Sequence, residues 1–370
     1  MVETAEAKQV CRAASTVVFP ALDFGIKPCG NYTREGFEKL LSRVAFEQEF
    51  ANTAGKTCQL NDGEPVDVTS TARNGLAKSL LYHLRNLEAD PIDEQLGGVR
   101  SDLFEILRKQ RLLPDCVDVA IDLHEWRFYG AAATDHVLIT YPDQGTNRTY
   151  CFATICIVAP GTRFTLDVLA LEANGFREKR DAVRTLLETA REYVSIRHVY
   201  LDRGFYQVHV VAELERLDVD YIVRARPSKG MKARLSAGAE TVVDAYLMQR
   251  KREPTASVAV TVFAVPHRST ADEHVWFVTN LDLEPEAARA YAAAFRRRWG
   301  IETSYRQIGD FLPRTSSPTF SVRLFYFLFA VSMYNLWILA TVLVSEGAIP
   351  GKPPISTRVF WEFVVVTDYG

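Results

Sequence analysis

The chain has 370 residues, 48% of them apolar, enough to bury a sizeable core as one large domain with an appendage or as two to three domains. Its formal net charge is -3, and its six cysteines include no C-x-x-C pair and no histidine at zinc-finger spacing, which excludes a zinc-finger protein and fits a reducing cytoplasm. The acidic start Met1-Val2-Glu3-Thr4-Ala5-Glu6 lacks the basic stretch that opens a secretion signal.

Residues 1–115 read as a mainly helical N-terminal region. Residues 37–50 and 76–87 carry apolar side chains at helical spacing, residues 53–70 are rich in Gly, Asp and Thr and read as loop, and residues 103–113 form a helix stopped by Pro114. From Cys116 the pattern changes. Residues 117–123, 149–158 and 163–171 are strand-like, with turns at 143–147 and 160–161. A helix over 177–194, a strand over 196–201, a helix over 208–217 and a strand over 221–224 follow. This order predicts an α/β fold, a ribonuclease H-like mixed sheet flanked by helices, in which the first and fourth strands lie side by side. Residues 227–284 interrupt it as a β-rich insertion, with strands over 257–265 and 274–279, before a helix over 285–298 carries the chain to Glu302. The predicted organisation is therefore 1–115, 116–226 as the first part of the α/β domain, 227–284 as the insertion, 285–345 as its second part, and a tail over 346–370.

Three carboxylates stand out against this frame. Asp122 closes the run Val117-Asp118-Val119-Ala120-Ile121, Asp202 closes Val199-Tyr200-Leu201, and Glu302 follows Arg296-Arg297-Arg298-Trp299-Gly300-Ile301 on a basic helix. Adjacent first and fourth strands would bring Asp122 and Asp202 together. Two strand-end aspartates and a helical glutamate suit a pair of hard divalent cations with positions left open for water and phosphate oxygens, which points to phosphoryl transfer on nucleic acid. Other polar residues are discounted: His124 and Glu125 as an exposed strand-end pair, His198 and His209 as structural, and Asp118, Asp135, Asp143 and Asp167 as turn or surface residues.

The charge distribution supports a polyanionic partner despite the net value. Residues 224–252 hold Arg224, Arg226, Lys229, Lys232, Arg234, Arg250, Lys251 and Arg252 against Glu240 and Asp244, a local +6, and residues 291–323 hold six arginines against Glu302 and Asp310, a local +4. Acidity elsewhere is screened beyond roughly 10 Å at ordinary salt. One feature competes: residues 324–344 are long and apolar enough to span a bilayer. The reading adopted is a buried last helix, because Tyr326, Tyr334 and Asn335 suit a protein core and no second run of that length exists.

The motifs Tyr200-Leu201-Asp202-Arg203-Gly204-Phe205-Tyr206, Tyr221-Ile222-Val223-Arg224 and Arg298-Trp299-Gly300-Ile301-Glu302 with Tyr305-Arg306 resemble the DDE transposases of prokaryotic insertion sequences. The resemblance covers roughly residues 116–340 and points to the branch with a β insertion before the catalytic glutamate; the chain is also similar to the group found in salt-loving archaea. That branch's signature is Tyr, two residues, Arg, three residues, Glu, six residues, Lys. Arg298 and Glu302 fit it, whereas the Tyr position holds Phe295 and the Lys position Gly309.

The resemblance implies strand cleavage and strand transfer by two Mg²⁺ ions, with Mn²⁺ as a substitute, held by Asp122, Asp202 and Glu302 with Asp122 bridging. It implies DNA contacts from Arg298, Arg306 and Arg314, with Trp299 or Trp276 as stacking platforms. The partners implied are double-stranded DNA at the element ends and target DNA. Residues 1–115 become a candidate DNA-end-binding region, and the DNA-bound form is expected to be a homodimer, cytoplasmic and nucleoid-associated, with no membrane. The alternative functions are a non-catalytic DNA-binding relic of a transposase and a membrane-anchored protein.

Overall fold

The computed structural model describes residues 58–60, 64–66, 85, 88–130, 135–159, 161–173, 179–235, 241–250, 253–268, 270, 273–312, 315, 317–344, 355–357 and 360. The chain divides into two compact units. One comprises Met1–Leu113, Tyr129–Ala132 and Ser304–Gly370, the other Pro114–Phe128 and Ala133–Thr303.

The first unit contains a short antiparallel hairpin, β1 (Cys58–Leu60) and β2 (Glu64–Val66), within the stretch expected to be loop. The helices expected over 37–50 and 76–87 fall outside the described residues, apart from helical Arg85. The helix expected over 103–113 is longer and starts earlier, as α1 (Ala89–Lys109), and it packs against the last long helix of the chain, Phe320–Val344. That helix is apolar on every side, which by itself marks a fully buried element rather than an amphipathic one. Its stretch Phe320–Val342 is long and apolar enough to cross a membrane, and it is buried within the protein except for half-buried Phe320. Several of its polar groups bond locally: Arg323 Nε donates to the carbonyl of Ser317 at 2.9 Å, Ser332 to that of Leu328 at 2.9 Å, and the Tyr334 hydroxyl to Ser304 Oγ at 2.9 Å.

The second unit is built on one nine-stranded sheet. Its strands are β3 (Cys116–Arg127), β4 (Leu138–Asp143), β5 (Thr146–Ile157), β6 (Thr165–Leu171), β7 (Ser195–Leu201), β8 (Tyr221–Arg224), β9 (Val242–Arg250), β10 (Glu253–Pro266) and β11 (His274–Thr279). The order is β4-β5-β3-β7-β8-β11-β10-β9, with β6 on the free side of β5 beyond β4. β3 is the pivot: it runs antiparallel to β5 and parallel to β7, so the first and fourth of the expected strands are neighbours. Its segment from Val117 to Ile121 is buried on both faces, which is why it reads as a continuous apolar run rather than an alternating one. Helices α2 (Lys179–Tyr193) and α3 (Val208–Arg216) supply the crossovers from β6 to β7 and from β7 to β8, each burying an apolar stripe.

Three differences from the sequence expectation matter. β3 continues five residues past Asp122, because His124-Glu125-Trp126-Arg127 keeps pairing with Cys151-Tyr150-Thr149 and Phe152 of β5. β4 forms an additional hairpin arm on β5, with Ile139 and Tyr141 exposed. The insertion contributes three strands, not two, and they extend the main sheet through the β8–β11 pairing. A short helix, α4 (Lys229–Lys232), capped by the Ser228 hydroxyl, precedes them.

A candidate metal-dependent nuclease site

Each of the three carboxylates is placed by a different local device. Asp122 is aligned by the β3 register, opposite Thr154 of β5 and one residue beyond the Ile121–Leu201 pair that joins β3 to β7. Its Oδ1 accepts from the Leu123 amide at 2.9 Å. Asp202 follows Leu201 directly, so parallel pairing sets the two aspartates at neighbouring positions. Asp202 caps the 3₁₀ turn Arg203–Phe205, its Oδ1 accepting from the Gly204 amide. A Cβ at position 204 would stand 2.9 Å from that same oxygen, so the Asp-Arg-Gly motif needs its glycine for close approach. Lys179, at the start of α2, donates to the Gly204 carbonyl at 3.0 Å and lies over the Phe205 ring, fixing the turn from behind.

Glu302 arrives by an interrupted helix. The helix expected over 285–298 is α5 (Pro285–Phe295), followed by a 3₁₀ turn over Arg296–Trp299 and then α6 (Gly300–Phe311), with Glu302 in its first turn and half exposed. Gly300 is another close approach, since a Cβ there would lie 2.5 Å from Arg163 Nε.

The 3₁₀ turn is clipped to β3 by successive arginines. Arg297 Nη1 is 3.9 Å from Asp118 Oδ2, and Arg298 Nη1 is 3.1 Å from Asp122 Oδ2. Asp118 and Asp122 lie four residues apart and so share a face of β3. Arg298 also reaches Glu302, with Nη2 3.5 Å from Oε1. Phe295, at the position the signature gives to Tyr, is buried edge-on to Tyr200 and Phe277 and lies beneath the Arg298 guanidinium.

The electrostatics separate the two aspartates of β3. Burial pushes Asp122 up to about 6, an effect that Arg298 and the Leu123 amide oppose and that the charges of Asp202 and Glu302 reinforce. Burial would also raise Asp118, but hydrogen bonds from His198 and Arg197 hold it well below the ordinary carboxylate range. His124 is pushed down to about 4 by burial.

The other residues singled out by sequence are distributed as follows. Trp299 is 58% exposed beside the site, Arg306 is exposed on α6, and Arg314 lies outside the described residues. Arg298 is 4% exposed and held by carboxylates, not turned to solvent. Trp276 is buried in β11 against the sheet core. Asp118 and Asp167 are buried, not surface residues, and His198 hydrogen-bonds Asp118 at 2.9 Å. The Asp118 anchor was the residue missed, and its signal was present: a charge inside an otherwise apolar, doubly buried strand requires partners.

The donor set is entirely carboxylate oxygen, which fits a hard divalent cation. Among the described residues, however, no three His, Cys, Asp or Glu side chains are gathered as a metal cage, and the Arg298 guanidinium spans Asp122 and Glu302 instead.

A mixed sheet of this order, with Asp122 within β3, Asp202 directly after the adjacent parallel strand β7 and a glutamate on a later helix, has the layout of the ribonuclease H-like fold. Residues 118–336 match the transposase DDE domain family, and the chain belongs to that family. Its fold is similar to the cryo-electron microscopy structure of the piggyBac transposase synaptic complex with hairpin DNA, at a TM-score of 0.54 and 10% identity over 99% of this chain and 78% of that one. No curated protein matches the chain.

Proposed function

We propose that this chain is the transposase of a prokaryotic insertion sequence of the branch with a β insertion, cutting DNA at the element ends and joining it to target DNA. The observation that carries the reading is the parallel β3–β7 pairing that sets Asp122 beside Asp202, combined with the Arg298 link that ties Glu302 to Asp122. In this reading Asp122, Asp202 and Glu302 would hold the Mg²⁺ ions, with Mn²⁺ as a substitute. When bound, such ions stabilise charge at the phosphate and lower the pKa of an attacking water or 3′ hydroxyl.

The chain's own residues orient that site. Gly204 and Lys179 fix the direction of the Asp202 carboxylate, and the Asp118–Arg297 contact holds the turn that leads to Glu302. Arg306 and Arg314 contact phosphates, and Trp299 stacks on an unpaired base. The piggyBac complex contains hairpin DNA, and the partner proposed here is likewise DNA, double-stranded at the element ends and in the target. A DNA-bound homodimer in the cytoplasm, on the nucleoid, completes the reading, with residues 1–115 engaging the ends.

The test is a cleavage assay on DNA carrying the inverted repeats that flank the reading frame. Asp122→Asn, Asp202→Asn and Glu302→Gln are expected to abolish Mg²⁺-dependent cleavage while end binding, measured by gel shift, persists, because neutralising a ligand removes no phosphate contact. Loss of end binding together with intact cleavage of the bound fraction would overturn the assignment.

A further inference from the structure

Arg298 is a buried charge whose observed place the proposed chemistry does not itself require. It is 4% exposed, and its Nε is buried without a hydrogen-bond partner. Its two terminal nitrogens are committed to Asp122 Oδ2 at 3.1 Å and Glu302 Oε1 at 3.5 Å, and its third support is the face of Phe295, 5.7 Å from the guanidinium carbon. A buried guanidinium is stable only when its charge is matched and its donors are used. Here the charge is matched by two carboxylates while one donor is wasted.

We propose that Arg298 is the internal counter-ion of the metal-free site, holding Asp122 and Glu302 in place until a divalent cation competes the guanidinium away from them. The proposal rests on the reading of Asp122, Asp202 and Glu302 as metal ligands. Its basis is that a single guanidinium bridges Asp122 and Glu302, and that the oxygens Arg298 occupies belong to the same groups a hard cation would take. The backbone around it is suited to release. Arg298 sits on a 3₁₀ turn between two α-helices, where hydrogen-bond geometry is poorer, and its neighbours Arg297 and Trp299 are both 58% exposed, so the turn has solvent on its outer side. Arg298 is thus a positioning residue: it preserves the spacing of the carboxylates without touching the reacting atoms, at the cost of competing with the metal.

The experiment uses the full chain, stripped with chelator, and Mn²⁺ alone as the probe, without DNA. Mn²⁺ binding is followed by paramagnetic resonance of the free ion and thermal melting by fluorescence, for wild type, Arg298→Gln, Arg298→Lys and Asp202→Asn. Arg298→Gln is expected to melt below wild type in chelator, to bind Mn²⁺ about tenfold more tightly, the scale of one charged hydrogen bond removed from the competition, and to recover more melting temperature on adding Mn²⁺ than wild type does. Arg298→Lys keeps the charge but cannot span two carboxylates, so it is expected to fall between them and supplies the same comparison if the glutamine variant fails to fold. Equal or weaker Mn²⁺ binding by both arginine variants, with binding lost in Asp202→Asn, would overturn the counter-ion role and leave the metal site standing. Absence of Mn²⁺ binding in every form would overturn both.

Discussion

Asp118 and Asp122 occupy the same face of one strand and have opposite surroundings. Asp118 accepts from Nε and Nη2 of Arg197, at 2.8 Å each, and is bonded by His198, whereas Asp122 shares its single arginine with Glu302. Asp118→Asn is therefore expected to cost about 1–2 kcal/mol in denaturant unfolding, since buried Asp118 loses its charge-assisted hydrogen bonds while Arg197 and Arg297, both more than half exposed, are rehydrated. Glu213 offers a cleaner pH test. It is buried on α3, and hydrogen bonds from Arg184 and Arg216 hold it down at about 2, below its usual 4.5. A depressed carboxylate contributes stability above its unfolded pKa and loses it as pH falls through the folded one. Thermal stability is expected to fall between about pH 4.5 and about pH 2, and Glu213→Gln to flatten that fall while costing about 1–3 kcal/mol at neutral pH. An unchanged acid limb in the variant would remove Glu213 from the account.

At the scale of elements, two glycines of α6 make a paired prediction. Gly309 faces open space, so Gly309→Ala should stabilise by about 0.5–1 kcal/mol through helix propensity alone. Gly300 abuts Arg163, so Gly300→Ala should destabilise by about 1–3 kcal/mol through overpacking. Chemical denaturation of both variants decides the pair. Much of the sheet was legible in the sequence because β3, β5, β7 and β8 hold buried segments dense in Val, Ile and aromatics, which mark the existence of each strand. β4 was not, because its residues alternate at an exposed edge and Asp143-Gln144-Gly145-Thr146 reads as a longer turn. β9 was hidden by reading its Arg250 end as part of a charge cluster. The end of β3 was misjudged because Asp122 looks like a strand terminus by polarity, while backbone pairing with β5 continues regardless of side chain. Of the site, the three carboxylates came from strand ends and a motif; the direction of Arg298 did not, because helical spacing places it near Glu302 without saying whether it faces phosphate or carboxylate.

For the whole molecule, the basic clusters shrink once burial is counted. Arg298 and Arg323 are buried, and Arg234 is committed to Asp244 at 2.7 Å. Among the described residues of the two clusters, Arg226, Lys229, Lys232, Arg296, Arg297 and Arg306 remain exposed and are the cations available to a polyanion. With a net charge of -3, DNA affinity must come from such local patches. Arg306→Ala is expected to reduce the log-log salt slope of end binding by roughly 0.9, and Lys229→Ala with Lys232→Ala by about twice that. Slopes equal to wild type for both proteins would place the DNA elsewhere.

The most direct measurement replaces Asp202 by cysteine and assays cleavage of an element end in Mg²⁺ and in Mn²⁺. A thiolate is a poor ligand for the hard Mg²⁺ and a better one for Mn²⁺. The account predicts that Asp202→Cys loses cleavage in Mg²⁺ and regains it in Mn²⁺, as only a residue in contact with the metal would. Cleavage by Asp202→Cys at the wild-type rate in Mg²⁺ would contradict it.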